Sequence, residues 1–345
     1  MPLALFEAYP QLADRIPWLS LGRFPTPVQP LAIAGNIFIK RDDLSAQPYG
    51  GNKVRKLEFL LAAARQRGAR RLITVGAAGS HHALATAIYG KQHGFAVSLV
   101  LFPQPLTSHV RDILLLDAAY GAELRFTWRM ETVPAALFAA TLSHRRERAF
   151  VIPPGGSDPI GTLGYVSAAL ELGAQVRRGE LPHPDTVVVA AGTLGTAAGL
   201  ALGFALANLR IRIIAARITS RIVTNERVLM RLIRGAADIL RRAGLPAAVA
   251  QQAFDLVELR HEYIGRGYGL STAAAEAAQE ALRGIGIHLD TTYTAKAAAA
   301  LLDQARNTQG PVLFWHTLSA AEPPLPPHIG IDNLPAPFRS YLQPA

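Results

Sequence analysis

One lysine stands in a sequence context that could give it chemistry. Lys53 ends the run Gly50-Gly51-Asn52-Lys53, and apolar residues follow from Leu57 to Ala64 at helical spacing. The two glycines allow a tight turn, so Lys53 would project from the N-terminus of a helix, where the dipole makes an amine lose its proton more easily. Spacing alone nevertheless favours a surface lysine, with Arg55 and Lys56 as solvated neighbours.

A second run could bind an anion. Gly192-Thr193-Leu194-Gly195-Thr196 follows the β-branched residues 186–190 and precedes an apolar helical pattern that starts near Ala197. Backbone N–H groups at such a strand-to-helix turn converge on an anion, and the helix dipole favours negative charge there. Glycine also lets the backbone approach a phosphate closely. Taken alone, the pattern fits a phosphate loop and an ordinary tight turn equally well.

A third run, Gly79-Ser80-His81-His82, lies at a predicted junction between a loop and a helix. Two adjacent histidines could suggest a metal site. Neighbours on a helix point about 100° apart, however, so they rarely share one ion. No third ligand is evident, and the sequence therefore does not indicate a metal site.

The elements that would position these runs alternate between strands and helices. Helical segments separate short strands predicted at 37–40, 72–75, 96–102, 123–126, 150–152, 186–190, 211–215 and 312–315. This alternation predicts parallel α/β structure, and 345 residues are enough for two domains. The first 30 residues and the proline-rich tail from Glu322 are predicted to be extended.

Composition narrows the classes of function. The chain has no cysteine, which excludes a disulfide framework and a thiol nucleophile and fits a cytoplasmic enzyme. The formal charge of +10 could suggest a nucleic-acid partner, but the arginines are scattered in pairs without a nucleic-acid motif. We interpret them as solvated surface charge. No uninterrupted apolar run reaches membrane-spanning length, so no membrane partner is expected.

The run from Lys40 to Leu61 resembles the signature of the pyridoxal-phosphate enzymes related to D-cysteine desulfhydrase and 1-aminocyclopropane-1-carboxylate deaminase. In that family the lysine of the Gly-Gly-Asn-Lys run binds pyridoxal 5'-phosphate covalently, which implies this role for Lys53, with Asn52 as a cofactor contact. The resemblance implies a tryptophan-synthase-β-like fold (fold type II) with two open parallel-sheet domains. Residues 1–55 and 164–345 would form the large cofactor-binding domain, and residues 56–163 a small inserted domain.

The same resemblance implies roles for the other runs. The loop from Gly192 to Thr196 would bind the cofactor phosphate, although Leu194 stands where relatives commonly carry glycine. Ser80 and His82 would hold the substrate carboxylate, and Ser80 would take part in catalysis. His81 replaces an asparagine that hydrogen-bonds to the cofactor ring oxygen, so we expect His81 to contact both cofactor and substrate.

Three residues near the C-terminus complete the expected site. Tyr268 and Tyr293 lie in segments that resemble those bringing tyrosines to the cofactor, where a phenol acts as acid, base or stacking partner. Without the resemblance, the residues alone favour two half-buried aromatics. Thr317 would face the pyridine nitrogen, which makes the cofactor a milder electron sink than an aspartate would.

The resemblance also implies a reaction. A base, Lys53 or a tyrosine, would remove a proton from a small amino acid, and β-elimination followed by hydrolysis would yield a 2-oxo acid and ammonia. Ring-opening relatives carry Glu and Leu where this chain has Thr294 and Thr317. This difference favours the desulfhydrase side, with Thr294 beside the substrate. Ring opening, β-replacement and a non-catalytic cofactor-binding protein remain alternatives, and a homodimer is expected because relatives usually form one.

Overall fold

The computed structural model describes residues 3–33, 36–246 and 248–343. The strands are β1 (Val28–Pro30), β2 (Ile37–Arg41), β3 (Arg71–Ala77), β4 (Ala96–Phe102), β5 (Glu123–Phe126), β6 (Phe150–Ile152), β7 (Thr186–Ala191), β8 (Arg212–Arg217), β9 (Val257–Arg260) and β10 (Val312–His316). The α-helices are α1 (Ala4–Ala8), α2 (Asn52–Gln66), α3 (His81–Gln92), α4 (Ser108–Ala119), α5 (Val133–Ser143), α6 (Pro159–Arg177), α7 (Gly195–Leu206), α8 (Glu226–Arg242), α9 (Ala250–Asp255), α10 (Ala273–Arg283), α11 (Thr294–Arg306) and α12 (Ala336–Leu342). No helix among the described residues is both long enough and apolar enough to span a bilayer.

The chain divides into two compact units. The first contains the chain through Phe59 together with Ser157–Ala321, and the second contains Leu60–Gly156 together with the chain from Glu322 onward. The predicted domain limits, after residues 55 and 163, instead fall inside α2 and α6. The tail from Glu322, expected in the large domain, lies with the second unit.

The sheet of the first unit has the order β1-β2-β10-β7-β8-β9. Its strands run parallel except β1, which pairs antiparallel with β2. Alternate residues of β7 face two different cores: Val187 and Val189 pack with helices α6 to α8, and Val188 packs with α10 and α11. Burial on both faces explains why these strands are continuous apolar runs. The carboxyl ends of β7 and β10 lead directly into two of the predicted site segments.

The sheet of the second unit has the order β5-β4-β3-β6, and all its strand pairs are parallel. Helix α5 packs on this sheet through Ala140, which lies against Ile73, Val75 and Val100. The turn after β3 leads into α3: Ser80 lies at the end of this turn, and His81 and His82 are the first residues of the helix.

Each chain end contains a helix where extended structure is predicted. The N-terminal segment contains α1, which buries Leu5 and Phe6, and the short strand β1. The tail contains α12, whose Phe338 is fully buried with its ring 4.8 Å from that of Phe126. Prolines limit helix formation only locally, and one buried aromatic residue is enough to anchor a short helix.

Candidate active site

Lys53 lies in the first turn of α2, directly after a constrained turn. Gly51 has a φ of 81°, and a Cβ atom at this position would meet the Thr317 carbonyl oxygen at 2.6 Å. Only glycine fits such a conformation and such a close approach. The Asn52 amide donates to the Thr317 oxygen at 3.1 Å, and Asn52 Nδ2 donates to Thr196 Oγ1 at 3.2 Å. The turn that presents Lys53 is therefore tied both to the end of β10 and to the first turn of α7.

The environment of Lys53 changes its acidity. Burial lowers the pKa of Lys53 to about 8, although the negative charge of Asp290 acts to raise it. More of this amine is neutral near physiological pH than of an exposed lysine, whose pKa is about 10.4. Arg55 and Lys56, which spacing alone favoured as solvated neighbours, are only 1% and 2% exposed. That interpretation of the two residues is wrong, and the start of α2 is an interior element.

Arg55 belongs to a buried ionic cluster. Its guanidinium donates to the Asp42 carboxylate at 2.8 and 2.9 Å and to the Glu171 carboxylate at 2.9 and 3.0 Å. Lys40 donates to Glu171 as well. Burial would raise the pKa of Asp42, but Arg55 more than offsets this effect and the pKa is about 2. The paired charges fix the first turns of α2 against the end of β2 and against α6.

The predicted phosphate loop follows β7 and opens α7. Leu194 takes the left-handed conformation, with a φ of 66°, and its side chain does not cap the helix. The Gly195 amide donates to Ser157 Oγ at 3.2 Å, and Ser157 Oγ lies 2.6 Å from Thr193 Oγ1. Lys56 Nζ donates to the same Ser157 oxygen at 3.1 Å. The loop thus combines a helix N-terminus, two hydroxyls and a buried ammonium group.

This loop fits a phosphate group. A Cβ atom at Gly195 would lie 2.6 Å from Ser157 Oγ and 3.0 Å from Lys56 Nζ, so glycine is what allows the hydroxyl and the amine to approach the loop this closely. Burial and the neighbouring charge of Lys53 lower the pKa of Lys56 well below its usual value. A phosphate at the N-terminus of α7 would favour the protonated form of this lysine.

Sequence reasoning missed Lys56 and Ser157. A signal for Lys56 was present, because Lys56 follows Lys53 by three residues and so lies on the same side of the helix. Ser157 gave no comparable signal, since its distance from the loop in sequence hides their contact.

Tyr268 and Tyr293 meet in the first unit. Their hydroxyl oxygens lie 2.6 Å apart, and their rings are nearly perpendicular with centroids 5.7 Å apart. Tyr293 Cε1 lies 3.5 Å from the position that a Cβ atom of Gly192 would occupy, which places this ring beside the phosphate loop. Burial raises the pKa of Tyr268 to about 12 and that of Tyr293 well above its usual value.

Asp290 organises the turn that carries Tyr293. Its carboxylate accepts hydrogen bonds from the amides of Thr292, Tyr293 and Thr294 at 3.0, 2.7 and 3.0 Å. The Thr294 hydroxyl donates to the same carboxylate at 2.7 Å, and Thr294 is 1% exposed. This hydroxyl is thus engaged by Asp290, and its expected place beside the substrate stays a prediction.

Ser80 and His82 lie at the N-terminus of α3 in the second unit. Ser80 caps the helix, because its Oγ accepts a hydrogen bond from the Ala83 amide at 3.2 Å. His82 is buried, with Nε2 3.0 Å from Thr74 Oγ1. The Thr74 hydroxyl donates to the Ile152 carbonyl at 2.8 Å, so His82 Nε2 carries the hydrogen that completes the pair. The His82 imidazole thus faces the sheet, and this contact gives it a structural role.

His81 is half-buried, and its ring lies 5.0 Å from the ring of His109 with a tilt of 39°. Within the described residues, no three side chains of His, Cys, Asp or Glu come together as a metal site would require.

The predicted site residues are distributed over both units. The first unit contains Asn52, Lys53, Gly192 to Thr196, Tyr268, Tyr293, Thr294 and Thr317, and the second contains Ser80, His81 and His82.

Comparisons with known proteins identify the family of the chain. A family described as "Pyridoxal-phosphate dependent enzyme" matches residues 19–317. The chain is 34% identical to the D-cysteine desulfhydrase of Salmonella schwarzengrund, over 88% of this chain and 94% of the relative. It is also 34% identical to the nocardicin C-9' epimerase of Nocardia uniformis subsp. tsuyamanensis, over 91% and 97% of the two chains.

A solved structure extends these comparisons to the fold. The crystal structure of an ACC deaminase homologue superposes with a TM-score of 0.75 at 33% identity, covering 93% of this chain and 96% of that chain. The predicted fold type II, with two parallel-sheet domains, is confirmed. The matched family spans the lysine turn, the glycine-threonine loop, the tyrosine pair and Thr317. The chain therefore belongs to the pyridoxal-phosphate-dependent enzyme family.

Proposed function

We propose that the chain is a lyase that eliminates the β-substituent of a small amino acid, with D-cysteine desulfhydrase-like chemistry, and releases a 2-oxo acid and ammonia after hydrolysis. One observation carries this proposal. Lys53, with a pKa of about 8, shares the first unit with two tyrosines whose pKa values are raised. This combination provides one group that can accept a proton near neutral pH and two groups that keep theirs.

The residues of the first unit would hold the cofactor. Lys53 would bind it covalently, and the loop from Gly192 to Thr196 would bind its phosphate together with Lys56 and Ser157. Asn52 would contact the cofactor, and Thr317 would face its pyridine nitrogen. When bound, pyridoxal 5'-phosphate withdraws electrons from the α-carbon of the amino acid. The first unit is therefore the proposed cofactor-binding domain.

The protein groups would then divide the proton transfers. Once the amine of the substrate has displaced Lys53 from the cofactor, Lys53 Nζ would accept the α-proton, because a base with a pKa near 8 is far better suited to this step at neutral pH than a phenol. The tyrosine pair, which stays protonated, donates a hydrogen bond or a proton to the departing β-substituent. Tyr268 and Tyr293 are thus proposed as catalytic acids.

Ser80 and His81 are proposed to bind the substrate directly, and His82 is proposed to support this substrate site. The N-terminus of α3 favours the negative charge of a carboxylate, and Ser80 already presents its hydroxyl there. We also propose that His81 contacts the cofactor ring and that Ser80 takes part in catalysis. For His82 the contribution is indirect, through its contact with Thr74.

Epimerisation differs from β-elimination in the fate of the α-proton. The relative named as an epimerase favours one second candidate, in which a proton removed by one group is returned by another. Ring opening and β-replacement remain further alternatives, and a cofactor-binding protein without turnover would not need a lysine of lowered pKa. We further propose that the protein is a homodimer and works in the cytoplasm, as its resemblance and cysteine-free composition suggest.

A screen of D- and L-amino acids for 2-oxo acid release tests the proposal. We expect pyruvate from D-cysteine or β-chloro-D-alanine, and little 2-oxobutyrate from 1-aminocyclopropane-1-carboxylate. The Lys53→Ala variant is the control and should release neither product. Ring opening at a rate equal to elimination would overturn the proposal, as would exchange of the α-proton with solvent and inversion without release of the β-substituent.

A further inference from the structure

Lys296 is a buried lysine with an unusual set of acceptors. It lies in the first turn of α11 and its side chain is 0% exposed. Its ammonium group donates to the carbonyl oxygens of Ile264 and Gly267 at 2.8 and 3.0 Å. Burial of a charged amine is unfavourable unless its hydrogens find acceptors, so both contacts matter to the fold around it.

These two carbonyls belong to the loop that carries Tyr268. The loop contains Gly265, Gly267 and Gly269, which all have positive φ angles, of 62°, 151° and 76°. Three such glycines give the unfolded loop many conformations and give the folded loop few side-chain contacts of its own. The loop needs an external group to fix the position of Tyr268.

Helix α11 provides that group and also carries the partner of Tyr268. Tyr293 immediately precedes the helix, where Asp290 holds its amide. Lys296 follows Tyr293 by three residues and thus lies on the same side of the helical turn. The turn before α11 therefore holds Tyr293 through the Asp290 carboxylate. The first turn of the helix contacts the Tyr268 loop through the Lys296 ammonium group.

We propose that Lys296 is a positioning residue, which holds the Tyr268 loop so that the two tyrosine hydroxyls meet. Its kinetic consequence rests on the proposed β-elimination, whereas its effect on the loop does not. If Lys296 served stability alone, its loss would loosen the whole first unit rather than this loop.

Limited trypsin digestion of the cofactor-free protein tests the effect on the loop. Arg266 is exposed between the two carbonyls, so cleavage after Arg266 reports loop opening, and Arg283 at the exposed end of α10 is the reference site. Removing a charged donor to two carbonyls in Lys296→Met should accelerate cleavage after Arg266 by about tenfold or more. Lys296→Arg keeps donors and should restore part of the protection, while the exposed Arg306→Met, on the same helix, should change nothing.

Unchanged cleavage after Arg266 in Lys296→Met would overturn the proposal, and so would equal acceleration after Arg266 and Arg283. Kinetics of the holoenzyme add a second test through a double-mutant cycle with Tyr268→Phe. Lys296→Met should lower kcat for elimination in the wild-type background and cost little in the Tyr268→Phe background. Additive losses would overturn the proposal. An absence of elimination in the wild-type enzyme would contradict the proposed function and leave the digestion result to decide the role of Lys296.

Discussion

The hydroxyl oxygens of Tyr268 and Tyr293 lie 2.6 Å apart in the same unit as Lys53. Burial raises the pKa of Tyr268 to about 12 and lowers that of Lys53 to about 8. A gap of this size separates the groups by function, because only Lys53 loses its proton to a substantial extent at weakly alkaline pH, whereas the phenols keep theirs. The tyrosines then act as hydrogen-bond or proton donors.

Tyr293→Phe should lower kcat/KM for pyruvate formation from D-cysteine by about 100-fold or more, the usual contribution of a positioned acid. Tyr263→Phe is the matched control, because it removes a hydroxyl that contacts Asp303 rather than the tyrosine pair. Steady-state kinetics near pH 8 make the comparison. Equal losses in the two variants would refute a catalytic role for the pair.

Gly195→Asp should weaken cofactor binding strongly. The new side chain would enter the space beside Ser157 Oγ and Lys56 Nζ, and its charge would repel a phosphate. Titration of the cofactor-free protein with pyridoxal 5'-phosphate, followed by absorbance, measures the affinity. Gly284→Ala, where a Cβ atom makes only ordinary contacts at 3.5 Å, should bind the cofactor normally. An unchanged affinity in Gly195→Asp would rule out this loop as the phosphate site.

Arg55→Met should lower the free energy of unfolding by about 3–5 kcal/mol, because it leaves the buried carboxylates of Asp42 and Glu171 without their main partner. Arg283→Met breaks an exposed ion pair with Glu280 and should cost about 1 kcal/mol or less. Urea denaturation of the cofactor-free protein compares the two. Similar costs would show that the buried cluster adds no more stability than a surface pair.

Asp117→Asn should stabilise the protein most at alkaline pH. Asp117 is fully buried, and its carboxyl oxygens have no hydrogen-bond partner among the residues that the structure describes. Burial raises the pKa of this group well above its usual value. Above about pH 4 the unfolded chain loses this proton first, so the aspartate makes stability fall as pH rises toward the folded-state pKa.

Unfolding at pH 5 and pH 8 tests this prediction. The variant should gain more relative to wild type at pH 8 than at pH 5, because asparagine carries no proton that can be lost. A gain that is the same at both pH values would show that Asp117 is not forced to remain protonated in the folded protein.

Much of the fold could be predicted from local patterns. The strands at 96–102, 123–126 and 150–152 match β4, β5 and β6: the first and third are short apolar runs, and the second alternates polar and apolar residues. Helix α6 begins at Pro159, earlier than the predicted residue 162, since the Asp158 side chain caps it through the Gly161 amide at 2.7 Å. The anchoring of α12 depends on the distant Phe126, which no local pattern indicates.

In the candidate site, too, local sequence predicts some features and tertiary packing determines others. The turn before Lys53 and the glycine-threonine loop carry their chemistry in adjacent residues, so sequence and resemblance could identify them. The partners that tune them come from distant segments. Ser157 meets Thr193, and Asp290 influences Lys53, through folding alone. Burial of Arg55 and Lys56 also depends on tertiary packing, which overrides the usual exposure of charged side chains.

The central claim is that Lys53 is the residue to which the cofactor is bound. Reduction of the cofactor-loaded protein with sodium borohydride, followed by peptide mapping, measures this directly. The account predicts that the reduced pyridoxyl label lies on Lys53, and that Lys53→Ala takes up no label. A label on Lys56, Lys296 or any other lysine, or no label after reconstitution with pyridoxal 5'-phosphate, would contradict it.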